Sequence, residues 1–176
     1  MAKELALRTA TDEDPSAVIL SLDGVGAYDH VRRQAMLGKL HRTPALRALL
    51  PFVRLFYGTT SHYLWTDDTG TTHDIQQGEG GEQGDPLMPA LFALGQHDGL
   101  EAGAAHLHQD DFVVAFLDDI YIKTTRDRAR DAYDAVTHAI EEHAGIRSNL
   151  GKTRAWSREG GPAPPGLADL GAEVWT

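Results

Sequence analysis

Apolar and polar positions fall in blocks along this chain that read in turn as strands and helices. Residues 17–22, Ala-Val-Ile-Leu-Ser-Leu, are a short apolar run that stops at Asp23-Gly24, the pattern of a buried strand. Val31, Ala35, Met36 and Leu40 follow at helical spacing. Thr43-Pro44 reads as an N-cap and first helical residue, with Leu46, Leu49, Leu50, Val53 and Phe56 on one face and Gly58 as the stop. Pro51 lies inside that pattern and predicts a kink or a split. The runs 61–65 and 72–76 flank the polar turn Asp67-Asp68-Thr69-Gly70 and predict a hairpin. A glycine-rich loop over 77–84 enters a helix with Pro86 and Pro89 in its first turns and Leu87, Leu91 and Leu94 as its stripe. Runs 112–117 and 120–124 predict two strands meeting at Asp118-Asp119. Residues 126–143 predict a helix with Ala129, Tyr133, Val136 and Ile140 inward and Gly145 as its stop. Residues 160–165 carry no core pattern, and no repeat is present. The order of elements predicts a single α/β sandwich of α+β class over 1–176, with one mainly antiparallel sheet and helices on one face.

Composition narrows the functional classes. The chain has 176 residues, room for one domain, and 41% of them are apolar. Sixteen Lys and Arg stand against 26 Asp and Glu, a net charge of −10, which excludes a nucleic-acid binder held by bulk positive charge. With no cysteine there is no disulfide, thiolate zinc site or thiol nucleophile. The longest apolar stretch, 112–117, is too short to span a bilayer, and residues 1–8 hold an early acid and no apolar leader core. The expectation is an intracellular globular protein, nuclear or cytoplasmic, without a membrane partner.

The charge is segregated. Residues 30–66 contain Arg32, Arg33, Lys39, Arg42, Arg47 and Arg54 and no acid, whereas residues 67–119 contain twelve acids and no Lys or Arg. Such a split suits a basic strip facing a polyanion beside an acidic centre that takes cations. The plainer reading puts each arginine on the wet face of an amphipathic helix. Two adjacent acids, Asp118-Asp119, interrupt an apolar hairpin, and aspartate suits such a tip because its backbone visits positive φ. Neighbouring carboxylates repel unless protonated or bound to a cation, and hard oxygen ligands suit Mg²⁺. Asp23 also ends a strand. If the two strand ends are neighbours, three carboxylates converge as a two-metal phosphoryl-transfer site requires. His106 and His108 with Asp110 and Asp111 form a weaker metal candidate. The glycine-rich loop lacks the Gly-Lys-Ser/Thr of a phosphate loop.

Read in order, these boxes resemble the palm of reverse transcriptases, nearest the retroelements without long terminal repeats. Asp23-x-x-x-Ala27-Tyr28-Asp29 resembles the first palm motif, and Gln83-Gly84-Asp85-Pro86-Leu87 through Phe92 the second. Phe116-Leu117-Asp118-Asp119 resembles the third, residues 145–153 the fourth, and Leu170-Gly171 in the 158–176 tail the short fifth. The resemblance implies a polymerase palm with fingers and thumb largely missing, a piece of a larger polyprotein. It implies an RNA-directed DNA polymerase that adds deoxynucleoside triphosphates to a DNA primer on an RNA template. Asp23, Asp118 and Asp119, with the Gly24 carbonyl, would hold two Mg²⁺ ions, or Mn²⁺. Tyr28 would lie beneath the incoming sugar and exclude a 2′-hydroxyl, Gln83 and Gly84 would shape the nucleotide pocket, and Lys152 would protonate or neutralise departing pyrophosphate. Met88 departs from the small residue usual in the family, and Glu82 stands where related elements often carry Arg. Two alternatives stay open: a catalytically silent fragment that binds nucleic acid or a partner chain, and a metal-dependent nuclease using the same carboxylates.

Overall fold

The computed structural model describes residues 2–176, with side chains from residue 7 onward. The reading of residues 1–8 as lacking a leader therefore falls partly outside the described residues. A first helix, α1 (Ala2–Glu13), precedes β1 (Val18–Leu22), the one-turn α2 (Ala27–His30) and α3 (Arg33–Arg42). A 3-10 turn at Arg47–Leu49 leads into α4 (Leu50–Tyr57), and the hairpin β2 (Ser61–Thr66) and β3 (Thr72–Gln77) follows. Then come α5 (Met88–Ala105), β4 (Phe112–Phe116), β5 (Asp119–Thr124), α6 (Ala129–Ala144) and β6 (Arg154–Ser157).

Four strands form one antiparallel sheet in the order β4-β5-β1-β6, while β2 and β3 pair only with each other. The chain thus has a second, two-stranded sheet that the reading of a single sheet left apart. In the main sheet Leu20 faces Ile122 and Leu22 faces Ile120, with Ala155 beside Leu20 on the far strand. These side chains form one apolar layer with Phe92 and Leu91 of α5 and Val136 and Ile140 of α6. Burial in β5 alternates, which aims Tyr121 and Lys123 at the other face. Lys123 closes that face near Ile19, its ammonium 3.7 Å from Asp14 and 3.3 Å from the Asp110 carbonyl. Helices α5 and α6 approach so closely that a Cβ on Gly99 would lie 3.0 Å from the Ala139 carbonyl oxygen.

The differences from the sequence reading have physical causes. No α-helix starts at Thr43-Pro44; Thr43 instead closes α3, its hydroxyl donating to the Lys39 carbonyl at 2.8 Å. Pro51 does not kink a helix but sits in the first turn of α4, where its missing N–H costs nothing. The inward face of α4 is Val53 and Tyr57, whereas Phe52, Phe56 and Leu55 (78% exposed) look outward. Arg33 is no wet-face arginine: it is 4% exposed. Its Nε donates to the Gly80 carbonyl (2.9 Å), Nη1 to the Thr59 carbonyl (2.6 Å) and Nη2 to the Ser61 hydroxyl (3.0 Å). One guanidinium thereby ties α3, the start of β2 and the glycine-rich loop together.

Candidate active site

The site grows from two neighbouring strand ends. The β1–β5 register ends with Leu22 opposite Ile120, so Asp23 and Asp119 lie one residue beyond that pair on adjacent strands. Phe116 pairs with Asp119, which leaves Leu117 and Asp118 as a two-residue turn. The reading of Asp118-Asp119 as the tip is therefore shifted by one residue. Starting β5 at Asp119 keeps Ile120 and Ile122 inward opposite Leu22 and Leu20. Positive φ falls on Leu117 (57°) and on neither aspartate. The buried Gln96 of α5 donates its amide to the Leu117 carbonyl at 2.6 Å. Asp23 and Asp118 line one narrow pocket together with Gly24, Ala27, Phe92 and Gln96.

Asp23 is held from the segment after α6. The Asn149 backbone N–H donates to the Asp23 carbonyl (2.8 Å) and its side-chain amide to Asp23 Oδ2 (3.3 Å). Lys152 Nζ stands 3.2 Å from the same oxygen, with its side chain 69% exposed. Gly24 bridges Ser148, flanked by Val25 N–H to the Arg147 carbonyl and Asn149 N–H to the Asp23 carbonyl. In that antiparallel pattern Gly24 and Ser148 are a pair whose own carbonyls take no part in the bridge.

Tyr28 stacks on Phe92 with ring centroids 4.5 Å apart and planes within 5°. Burial first, and Asp118 second, raise its phenol above the usual tyrosine range. Tyr28 lines a cleft of ≈ 560 Å³ with Gln83, Gly84, Asp85, Met88 and Pro89. The glycine-rich loop is fastened beneath it: Gly80 N–H donates to the Val31 carbonyl (2.8 Å) and Gly81 N–H to that of Tyr28 (3.0 Å). At Gly80 φ is +69°, and a Cβ would lie 2.3 Å from the Asp29 carbonyl oxygen. Met88 is buried with its sulfur against Gly81, which leaves that glycine no room for a side chain. Glu82 accepts a hydrogen bond from the Tyr63 hydroxyl. Asp85 accepts from the Tyr57 hydroxyl and from Leu87 N–H (2.8 Å). Burial and the Asp85 bond push the Tyr57 phenol up to about 12.

The expected groups thus gather in two adjoining places, Asp23 with Asp118 in one pocket and Tyr28 with Gln83 and Gly84 in the other. The three aspartates do not close into a tight cluster. Among the described residues, only His97, Asp98 and Glu101 bring three ligand atoms within 4.8 Å of one another. There the Lys39 ammonium already sits, 2.7 Å from Asp98 and 2.9 Å from His97 Nδ1. The His106, His108, Asp110 and Asp111 set does not gather either, because Asp111 gives both oxygens to Arg128 at 2.8 and 3.0 Å. The donors at Asp23, Asp118 and Asp119 fit a hard divalent cation by their chemistry: they are carboxylate oxygens at adjacent strand ends. Sequence reasoning missed Gln96, Asn149 and the structural role of Arg33. Gln96 had one visible signal, a polar residue four positions after Phe92 on the face of α5 that turns inward.

Residues 2–165 match the family described as reverse transcriptase (RNA-dependent DNA polymerase). The retrotransposable element SLACS 132 kDa protein of Trypanosoma brucei gambiense is 28% identical over 132 residues, 75% of this chain and 11% of that protein. The fold is similar to apo telomerase from Candida tropicalis (TM-score 0.66, 13% identity, 89% of this chain and 32% of that one). It is also similar to telomerase from Candida albicans in complex with a fragment of telomeric RNA (TM-score 0.61, 17% identity, 88% and 31%). The chain therefore spans about a tenth of the retroelement protein and about a third of the telomerases. A family match running through both pockets, on a mixed fold with an antiparallel sheet shared with telomerase, leads to one statement of kinship: this chain belongs to the reverse transcriptase family.

Proposed function

We propose that this domain adds deoxynucleotides to a DNA primer on an RNA template, as the polymerase part of a retrotransposon-like element. The observation that carries the reading is the joint lining of one pocket by Asp23 and Asp118, next to a cleft lined by Tyr28, Gln83 and Gly84. Asp23, Asp118, Asp119 and the Gly24 carbonyl are the ligands for two Mg²⁺ ions, or Mn²⁺, which when bound neutralise charge on the attacking and leaving oxygens. The Tyr28 ring, braced by Phe92, forms the floor under the incoming sugar and leaves no space for a 2′-hydroxyl. Gln83 and Gly84 shape the nucleotide pocket. Lys152 leaves Asp23 and neutralises the departing pyrophosphate.

The test is extension of a labelled DNA primer on an RNA template with Mg²⁺ by the chain and its Asp118→Asn and Asp23→Asn variants. Extension lost in both folded variants supports the reading. Wild-type cleavage of the template without extension would give the site to a nuclease, and binding without either reaction would make the domain a silent one.

A further inference from the structure

We propose that Gln96 is a positioning residue whose amide holds the Leu117–Asp118 turn in the conformation that aims Asp118 at the pocket shared with Asp23. The inference rests on the metal-site reading above and assigns that site a supporting group outside the five boxes of sequence. Gln96 is 3% exposed, on a helix face whose other buried residues are Met88, Leu91, Phe92, Gly95, Gly99 and Gly103. A buried amide is costly unless it is bonded, and this one is bonded to a single acceptor of particular character. That acceptor is the carbonyl of the non-glycine residue with φ of +57°.

A leucine in the left-handed region is strained, because its Cβ crowds the following carbonyl. The strain persists only where surrounding structure fixes it: the two-residue hairpin sets the positive φ, and the Gln96 amide holds the plane of the peptide that follows. Without it the Leu117–Asp118 peptide is free to turn over, which changes ψ of Leu117 and φ of Asp118 and so redirects the Asp118 carboxylate. The helix that carries Gln96 also carries Phe92, so its place is set by core packing rather than by the loop it holds. A purely structural role for Gln96 would change stability alone; a positioning role changes cation binding in a protein that still folds.

The experiment measures Mn²⁺ affinity of the full chain by water proton relaxation, with thermal unfolding alongside. Gln96→Met keeps length and apolar volume and removes the donor. It is expected to weaken Mn²⁺ binding ~10-fold or more while unfolding stays cooperative, the size of loss typical of groups that orient metal ligands. A folded Gln96→Met that binds Mn²⁺ like wild type overturns the proposal. Should Gln96→Met fail to fold, Gln96→Asn, which draws the amide back by one methylene, is read by the same two criteria. Asp118→Asn separates the readings: if it abolishes binding and Gln96→Met does not, the metal site stands and this inference falls. If wild type itself binds no Mn²⁺, the metal-site reading falls and takes this inference with it.

Discussion

Replacing Arg33 by methionine should unfasten the glycine-rich loop and the β2–β3 hairpin from α3. The side chain makes three guanidinium bonds, to the Gly80 and Thr59 carbonyls and the Ser61 hydroxyl, and lies 5.4 Å over the Tyr57 ring. Hydrogen bonds from a charged donor are worth ~1.5–3 kcal/mol each, but bonds sharing one group are not additive. Methionine keeps the apolar stem, so the expected loss is ~4 kcal/mol rather than the full sum. For a domain of this size that lowers Tm by ~8–16 °C. Arg33→Lys keeps the charge but not the fork, and a single ammonium cannot reach three acceptors on two segments. It should lose about half as much, ~2 kcal/mol. Thermal unfolding by circular dichroism gives the magnitude, and amide exchange over residues 59–81 shows where the loosening starts. A Tm for Arg33→Met within about 2 °C of wild type, with unchanged exchange there, would refute the role assigned to Arg33.

Three further outcomes follow from the geometry. Gly80→Ala should cost ~2–4 kcal/mol in urea unfolding, since the left-handed backbone penalises alanine and its Cβ meets the Asp29 backbone; a variant as stable as wild type would contradict this. Tyr28→Ala should lose ~2 kcal/mol for a half-buried, stacked ring and admit ribonucleotides more readily in primer extension; unchanged sugar preference in the folded variant would remove the gate role. Lys39 holds the Asp98 carboxyl below the usual carboxylate range. Its folded pKa is depressed, so the associated stability is present above the unfolded value and lost as pH falls through the folded one. The Tm gap between wild type and Asp98→Asn should therefore close in acid, and a gap that is the same at acid and neutral pH would show that the pair contributes nothing.

Much of the main sheet was legible because its strands are apolar runs ended by chemistry-bearing residues, and α6 because its buried positions repeat at helical spacing up to Gly145. The helix start at Thr43 misled because a cap residue and a proline are equally at home closing one helix and opening a turn. Strand β6 was invisible, since Arg-Ala-Trp-Ser has no apolar run; it is a strand because Ala155 lies between Leu20 of β1 and the chain near Trp175. Within the site, the aspartates and the Gln83-Gly84 pair were readable from local boxes. Gln96 and Asn149 were not, because their roles exist only where distant segments meet: 21 positions separate Gln96 from Leu117, and 126 separate Asn149 from Asp23.

Helix α5 touches Gly81 through Met88, Tyr28 through Phe92 and the Leu117 turn through Gln96. An α-helix rises a fixed ~1.5 Å per residue and turns ~100°, so these three contacts are spaced by residue count alone. Adding or deleting one residue between Met88 and Gln96 would swing the later contacts around the axis and break them together. Between Met88 and Gln96 the helix has a fixed length, and it sets the distance between the cleft lined by Tyr28, Gln83 and Gly84 and the pocket lined by Asp23 and Asp118 like a ruler. Changes in chain length are tolerable only where no such spacing is measured, as at the exposed Asp67–Gly70 end of the hairpin.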